Sequence, residues 1–259
     1  MECKNCHTNL RTDYSYCPNC GAKVIRNRIT LKNLSFDIFE RYFNLDNSFF
    51  KTFLHLFSKP EEVLSGYISG TRKKYLNPIS YLGIALTLSG ITVFLIKKFY
   101  ASNIDFTGGS NNMNPEFAEK YSEFVFDYSS FMFLIYFPVL ALPAYLLFNK
   151  IKYNFSEYIV VFIYIMAHYS IVTFPIGIST LIINPDYYVE MSKPLLGATL
   201  LYSIYVLQRL NRFSIKNLLW KSVIYLFLVI TIFFVTIMGI MLLLMLTGVF
   251  NLNDFAPIK

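Results

Sequence analysis

An all-α integral membrane helix bundle, with a small four-cysteine ribbon at its N-terminus, is the fold class that the sequence predicts. Three observations support it. The chain is 55% hydrophobic and only 15% charged, whereas soluble domains carry about 25% charged residues. Several uncharged stretches approach or exceed the ~20 apolar residues that cross a bilayer as one helix. All four cysteines lie within the first 20 residues, in two closely spaced pairs.

The cysteine pairs are Cys3-x2-Cys6 and Cys17-x2-Cys20, separated by ten residues. A spacing of two residues lets both sulfurs of a tight turn point at one ion, and two such turns complete a tetrahedral four-thiolate site. About 25 residues cannot bury a core, so bound metal would have to supply most of the folding free energy, roughly 10–16 kcal/mol in zinc-finger peptides. We therefore predict a structural zinc ribbon over residues 1–25, with Zn²⁺ as the cofactor.

Two disulfides, or redox catalysis by a single Cys-x2-Cys pair, are the alternatives to metal binding. No secretory signal is recognisable before the cysteines, and a reducing cytosol disfavours disulfides. His7 is expected to be a bystander because four thiolates already satisfy the ion. Small ribbons serve in nucleic-acid binding and in protein docking alike, but no dense Arg/Lys stripe accompanies this one. We expect a protein partner and no nucleic acid.

An amphipathic connector at the cytosolic membrane surface is predicted over residues 29–78. Apolar residues recur with helical spacing over 31–45 and again over 49–57. Polar residues 46–48 interrupt the pattern, which predicts two short helices, the second capped at that point. Phe-rich helices of this kind lie in the membrane interface or pack on the cytosolic face of a bundle. The sequence leaves both arrangements open.

A basic cluster, Arg72, Lys73 and Lys74, stands directly before the first long apolar run. Such a cluster contacts anionic lipid headgroups or phosphate, or it serves as a positive-inside anchor that holds this end of the span in the cytosol. Both interpretations place the three side chains at the cytosolic membrane surface.

Two segments together resemble a bacterial family of uncharacterised multi-pass membrane proteins with an N-terminal zinc ribbon. The first is the cysteine pattern, which ends in Cys17-Pro-x-Cys20-Gly. The second is Pro60-x2-Val63 followed by Gly66-Tyr67-Ile68-x-Gly70-x-Arg72-x2-Tyr75-x2-Pro78. The likeness covers roughly residues 1–82, and Gly-x-Arg-x2-Tyr-x2-Pro is its more specific part. It implies the architecture and a bacterial origin, and it implies no activity.

Five membrane spans are predicted, at residues 79–96, 130–148, 158–183, 194–212 and 222–249. The fourth has only about 14 apolar residues, or ~21 Å of helix, and reaches bilayer length if Arg209 and Arg212 extend their charged ends to the surface. If it did not cross, the basic residues between the last two spans would face outward, against the positive-inside rule. We therefore predict an inner-membrane protein with a cytosolic N-terminus and an external C-terminus.

One ionisable side chain, His168, is expected near the middle of the third span, and Tyr164, Ser170 and Thr173 lie within about a turn of it. Ionisable groups in the membrane are costly and often functional. Two interpretations are open for His168. It is a proton-relay or ligand-contacting residue, or it is a neutral histidine hydrogen-bonded to a neighbouring helix.

No enzyme signature such as HExxH, Walker A or GxSxG is present, so we expect no enzyme. Glycines in the spans are expected to be close helix-packing points: Gly83, Gly90, Gly177, Gly197 and Gly239.

The leading hypothesis is a non-enzymatic scaffold or sensor whose ribbon and connector dock a cytosolic protein or sense the inner leaflet. The alternative is a small transporter or channel subunit that uses a polar site near His168 and requires homo-oligomerisation. A lipid-modifying enzyme using Arg72 and His168 is disfavoured, because the two residues are expected at different depths.

Overall fold

The computed structural model describes residues 2–22, 24, 48–100, 104, 120–121 and 124–249, with the backbone alone at 129–130 and 132–133. The chain divides into two compact units, Met1–Phe43 and Asn44–Lys259. Over the described residues the regular structure is helical and no strand forms; an isolated antiparallel bridge joins Glu2 and Asn9. The predicted helix over 31–45 lies outside the described residues.

The second unit contains the α-helices α1 (Ser48–Ser58), α2 (Pro60–Ile68), α3 (Pro78–Leu95), α4 (Ser129–Phe148), α5 (Phe155–Ile183), α6 (Tyr188–Asn211) and α7 (Ile215–Leu246). Residues 120–121 and 124–127 are helical as well. A π-helical turn, Ile96–Tyr100, continues α3, and a 3-10 turn, Pro185–Tyr187, precedes α6. The expected all-helical architecture is confirmed at this level.

Local sequence explains where the two central helices begin. The Asn77 side chain accepts a hydrogen bond from the Ser80 backbone N–H at 2.8 Å, and Pro78 occupies the first helical position of α3, where its missing N–H costs nothing. Asn154 and Glu157 form a reciprocal capping box at the start of α5. Each cap satisfies backbone donors that the first turn of a helix leaves without partners.

Three of the described helical segments are long and apolar enough to cross a membrane, by length and composition alone. They are Pro78–Tyr100, Phe155–Ile183 and Ile215–Leu246, with mean hydropathies of 2.0, 2.0 and 2.9. In α4, the apolar stretch with described side chains is shorter, Leu134–Phe148. These segments indicate a membrane protein.

Two helices start well before the predicted segments: α7 begins seven residues before the predicted start at Ser222, and α6 also starts early. That helix begins at Tyr188, six residues before the predicted start at Pro194, and so includes Glu190 and Lys193. Pro194 lies inside the helix, in its second turn. A proline there removes one backbone hydrogen bond without ending the helix, which explains why it is a poor marker of the helix start.

The centre of the bundle is α5, which packs against α2, α3, α4 and α6. Eight consecutive residues, Val161–His168, are buried on every face of this helix. Burial all round marks a helix enclosed by others instead of one that lies at a surface. The described part of the connector, from Ser48 onward, therefore forms part of the bundle, since α2 is one of the elements that enclose α5.

Close packing at glycine occurs at one of the five expected positions. A Cβ added at Gly177 would lie 3.6 Å from the Tyr188 ring, whereas a Cβ at Gly83, Gly90, Gly197 or Gly239 would meet no described atom within 4 Å. The prediction is therefore wrong for those four glycines within a single chain, because they face outward from the bundle.

Candidate metal centre and membrane-proximal polar residues

The four cysteine sulfurs form a compact cluster in the N-terminal unit. All four Sγ atoms lie within 4.8 Å of one another, with Cys3–Cys20 at 3.7 Å and Cys6–Cys17 at 3.6 Å. A tetrahedral ion with bonds of ~2.3 Å to sulfur would hold its ligands about 3.8 Å apart. The cysteines are free rather than disulfide-bonded, and their geometry fits a single metal ion.

The two cysteine pairs sit on turns of the same construction. In the first, the Cys3 N–H donates to Thr8 O at 2.9 Å and the His7 N–H donates to Cys3 O at 2.9 Å. In the second, the Cys17 N–H donates to Ala22 O at 2.8 Å and the Gly21 N–H donates to Cys17 O at 2.9 Å. These bonds turn both sulfurs of each pair toward a common point.

His7 and Gly21 occupy equivalent positions in these two turns, immediately after the second cysteine of each pair. Both have left-handed backbone, with φ of 59° at His7 and 69° at Gly21. Glycine adopts this conformation without strain, and histidine is among the residues that tolerate it best. The backbone therefore explains the presence of His7 without a role in metal binding.

Hydrogen bonds favour the thiolate form of two of the four cysteines, Cys6 and Cys20, whereas the pKa of Cys17 is raised to about 11. The Thr8 hydroxyl lies 3.3 Å from Cys6 Sγ, and this side-chain hydrogen bond is the main cause that lowers the pKa of Cys6 to about 6. A side-chain hydrogen bond with Asn5 likewise lowers the pKa of Cys20. Because the thiolate is the metal-binding form of cysteine, these partners prepare the cluster for a cation.

The basic cluster before α3 is exposed, and two of its members contact other side chains. Lys74 Nζ lies 3.3 Å from Glu62 Oε2, and the Arg72 guanidinium lies 5.7 Å from the centre of the Tyr67 ring, in cation–π range. The hydrogen bond from Lys74 is the main cause that lowers the pKa of Glu62. The cluster is thus tied to α2, a contact that the sequence did not suggest.

Tyr75 and His55 extend this polar network. The Tyr75 hydroxyl lies 2.8 Å from His55 Nδ1 and donates to Glu62 Oε2 at 3.3 Å. Tyr75 is buried, and burial is the main cause that raises its pKa. The motif tyrosine of the sequence resemblance therefore has a structural explanation, because it joins α1 to α2. His55 was missed because nothing in the sequence marks it as adjacent to residue 75.

His168 lies in a closed pocket between three elements. Its side chain is 1% exposed, and Nδ1 lies 2.8 Å from the Tyr81 hydroxyl of α3. Phe53 and Phe57 of α1 and Tyr202 of α6 complete an aromatic surround, with ring centres 5.1, 4.4 and 5.3 Å from the imidazole. Nε2 is buried with no hydrogen-bond partner among the described residues.

His168 lies level with the first turn of α3, because its hydrogen-bond partner Tyr81 is the fourth residue of that helix. Two of the expected polar neighbours along its own helix bond elsewhere: Tyr164 donates to Leu76 O at 2.6 Å and Thr173 to Tyr169 O at 2.9 Å. The depth of His168 in the membrane stays a prediction.

Three side chains of α6 hold the C-terminal end of α1. The hydroxyls of Tyr202 and Tyr205 donate to Leu56 O and Phe57 O at 3.0 and 2.7 Å, and Arg209 donates to the carbonyl oxygen of the next residue at 3.2 Å. These carbonyls are among the four that end an α-helix without intrahelical partners. The three donors lie about one turn of α6 apart, so that together they fix the C-terminal end of α1 against α6.

Arg209 also pairs with Glu61 of α2. Its Nε lies 2.9 Å from Glu61 Oε2 and its second terminal nitrogen 2.5 Å from Oε1. Burial alone would raise the pKa of Glu61, but the hydrogen bonds from Arg209 outweigh it and the pKa lies below its ordinary value. A bidentate pair of this kind holds both side chains in one orientation.

Residues 46–90 match the model of a family described as a protein of unknown function, DUF3667. The chain is therefore similar to that family over α1, α2, the basic cluster and most of α3. No curated protein and no solved structure matches the chain. The matched segment contains the second part of the sequence resemblance, residues 60–78, and does not contain the cysteine ribbon.

Proposed function

We propose that this protein is a non-enzymatic membrane scaffold or sensor whose N-terminal zinc ribbon docks a cytosolic protein. The observation that carries the proposal is the closed four-sulfur cluster. Four cysteine ligands would fill all positions of a tetrahedral ion and leave none for a substrate, which is the pattern of structural and not catalytic zinc. Soft thiolate ligands favour Zn²⁺ over Mg²⁺ or Ca²⁺.

The metal assignment is tested by counting zinc in the purified full-length chain. We expect about one Zn²⁺ per chain, retained during purification. Cys17→Ser should lose the metal, because three thiolates and a hydroxyl bind zinc far more weakly than four thiolates. His7→Gly is the matched control and should keep full zinc content, since this residue serves the turn. Loss of zinc in His7→Gly would contradict the bystander assignment.

The membrane arrangement proposed is five spans in a bacterial inner membrane, with the N-terminus inside and the C-terminus outside. It is supported by the basic residues where α6 is followed by α7, with Arg212 in the turn and Lys216 in the first turn of α7, which the positive-inside rule places in the cytosol. Reporter fusions test it: a fusion after residue 213 should report the cytosol, and fusions after 184 or 259 the exterior. Equal locations for the fusions after 184 and 213 would remove the fourth span.

Docking is tested by placing a photo-crosslinking residue at Tyr16, which is 56% exposed on the ribbon. We expect a discrete protein adduct in cells that disappears in Cys17→Ser and persists in His7→Gly. The captured protein, once purified, should bind the full-length chain in detergent with a zinc-dependent Kd. The same adducts with and without Cys17 would count against docking by the folded ribbon.

The buried, unpartnered Nε2 of His168 favours one alternative function, a small transporter or channel subunit that assembles as a homo-oligomer. Prolines inside the helices, Pro138 and Pro143 in α4 and Pro175 in α5, would loosen backbone near such a path. Solute flux through proteoliposomes is the measurement. Flux that is abolished by His168→Ala, while the folded protein is retained, would favour transport over scaffolding.

A further inference from the structure

A cavity of about 420 Å³ opens beside the motif segment that precedes α3. Ligand pockets in proteins are typically about 300–1,000 Å³, so this one has the size of a small-molecule site. Its polar lining comes from α2 and the motif segment: Glu62, Ser65, Ser69, Thr71, Lys74 and Tyr75. Tyr153, two residues before α5, lines it as well.

Charges of both signs line this cavity. Lys74 and Glu62 approach to 3.3 Å, and their side chains remain 44% and 41% exposed. Charge-assisted N–H···O bonds are usually 2.7–2.9 Å long, so the contact is loose and both groups can still bind a ligand. Lys59 Nζ lies 3.5 Å from the other carboxylate oxygen of Glu62, Oε1. The lining itself holds one cation, Lys74, and one anion, Glu62, which favours a ligand that carries both an anionic group and a cationic, donor-bearing group.

The walls of the cavity are fixed before any ligand binds. Gly70 has a φ of 101°, a backbone conformation that residues with a Cβ rarely adopt, and the Thr71 N–H donates to Gly66 O at 2.8 Å. This turn directs residues 71–75 along α2. The Tyr75 hydroxyl, held by His55, orients Glu62. A site whose polar groups are already in position loses less entropy when it binds.

The position of the cavity relative to the membrane indicates the source of the ligand. Tyr75 lies three residues before Pro78, where the first candidate span begins, and Tyr153 lies just before the second. In the proposed membrane arrangement the start of α3 meets the headgroup layer, which is roughly 5–8 Å thick. The side of the cavity formed by Lys74 and Tyr75 then lies next to phospholipid headgroups, beside the exposed Arg72 and Lys73.

We propose that this cavity binds a phosphoethanolamine group, with the phosphate on Lys74 and the Thr71 hydroxyl and the ammonium on Glu62. Lysine binds phosphate as a point charge, and a carboxylate accepts hydrogen bonds from an ammonium. Choline carries no N–H donor, so a phosphocholine group cannot make the second contact. The shared chemistry could be supplied by a phospholipid headgroup or by a soluble phosphate ester.

Native mass spectrometry of the full-length chain in detergent tests this, with short-chain phosphatidylethanolamine, short-chain phosphatidylcholine and soluble phosphoethanolamine as probes. We expect the ethanolamine lipid to bind at least about tenfold more tightly than the choline lipid. Lys74→Gln and Thr71→Val should each weaken it, the lysine variant by about tenfold, the loss expected for one charge-assisted hydrogen bond. Lys98→Gln is the charge-matched control, because Lys98 lies in the π-helical turn at the C-terminal end of α3, far from the cavity before its N-terminal end.

The outcomes separate the sources and can overturn the proposal. Binding of the ethanolamine lipid that excess soluble phosphoethanolamine does not displace assigns the site to the membrane, and displacement assigns it to a cytosolic ester. Equal binding of the ethanolamine and choline lipids overturns the proposal, as does an equal effect of Lys74→Gln and Lys98→Gln. If Lys74→Gln does not fold, Thr71→Val decides. Cys17→Ser should leave this binding unchanged, so failure of the ribbon hypothesis is distinguishable.

Discussion

The two longest described helices, α5 and α7, are both apolar, but α5 is enclosed by other helices and α7 is largely exposed. They contain 29 and 32 residues, with mean hydropathies of 2.0 and 2.9 over their most apolar stretches. The first is enclosed over Val161–His168, whereas the second buries only Tyr225 and Val229. The less apolar helix is the central one, because polar side chains need protein partners that hydrocarbon does not provide. In this fold the more apolar of the two helices is the more exposed one, so hydropathy alone does not indicate burial.

The largest difference between the two helices is expected when one isoleucine on each is replaced by alanine, in two separate variants. Ile165 of α5 is fully buried and Ile230 of α7 is 63% exposed. Ile165→Ala should destabilise by about 2–4 kcal/mol through lost packing and a cavity, which lowers Tm by roughly 5–10 °C. Ile230→Ala should have almost no effect. Thermal unfolding in detergent measures both variants, and equal decreases in Tm would contradict the difference in burial between α5 and α7.

A smaller effect is expected from removing one hydrogen bond on each helix. Tyr164→Phe leaves Leu76 O without its 2.6 Å donor in a buried site, and should cost about 1–2 kcal/mol. Thr231→Val on α7 removes a bond to Phe227 O, which faces outward, and should change Tm little. If the α7 variant proves the more damaging, an unrecognised partner must cover that helix.

The ion pair between α2 and α6 tests how firmly the connector is held against the bundle. Glu61→Gln should lower stability by about 1 kcal/mol at pH 7. The folded pKa of Glu61 lies below its ordinary value, so its contribution is complete above about pH 5 and disappears as the pH falls through the folded pKa. Tm differences between wild type and variant from pH 7 to 3.5 measure this.

The control for that prediction is Glu190→Gln, since Glu190 pairs with Lys193 at an exposed site. Exposed pairs contribute little to stability, and this variant should match wild type at every pH. A difference for Glu61→Gln that grew as the pH fell would contradict the assignment of its charged form to the folded state.

The last and smallest effect concerns the fluorescence of Trp220, the single tryptophan of the chain. Trp220 lies in the second turn of α7 and is 69% exposed. If α7 faces lipid, the indole lies at the membrane interface, where tryptophan is enriched. Its fluorescence in liposomes should be quenched more by lipids labelled near the headgroup than by lipids labelled at the chain end. Quenching by water-soluble acrylamide alone would place this turn outside the membrane.

Patterns within one segment allowed correct predictions from the sequence. Two Cys-x2-Cys pairs predicted a cluster of four sulfurs, and the structure brings Cys3, Cys6, Cys17 and Cys20 together. Helical spacing over residues 49–57 predicted a short helix, and α1 covers Ser48–Ser58. These features depend on neighbours in the chain, whose geometry is set by short-range backbone sterics and hydrogen bonding.

The surroundings of His168 and Lys74 could not be predicted in the same way. Tyr81 is 87 residues from His168 in the chain, and Arg209 is 148 residues from Glu61. No spacing rule links such residues, because their contact depends on how separate helices pack.

The sequence by itself determined the helical class, the apolar segments and the thiol cluster, because solvent preference and local geometry are properties of short stretches of residues. Only the tertiary structure decided that α5 is enclosed while α7 is exposed. It also decided that the connector packs into the bundle and that the basic cluster faces a carboxylate across a cavity. The physical reason is that burial and charge pairing are created between segments, and lipid-facing and core-facing helices satisfy the same apolar pattern.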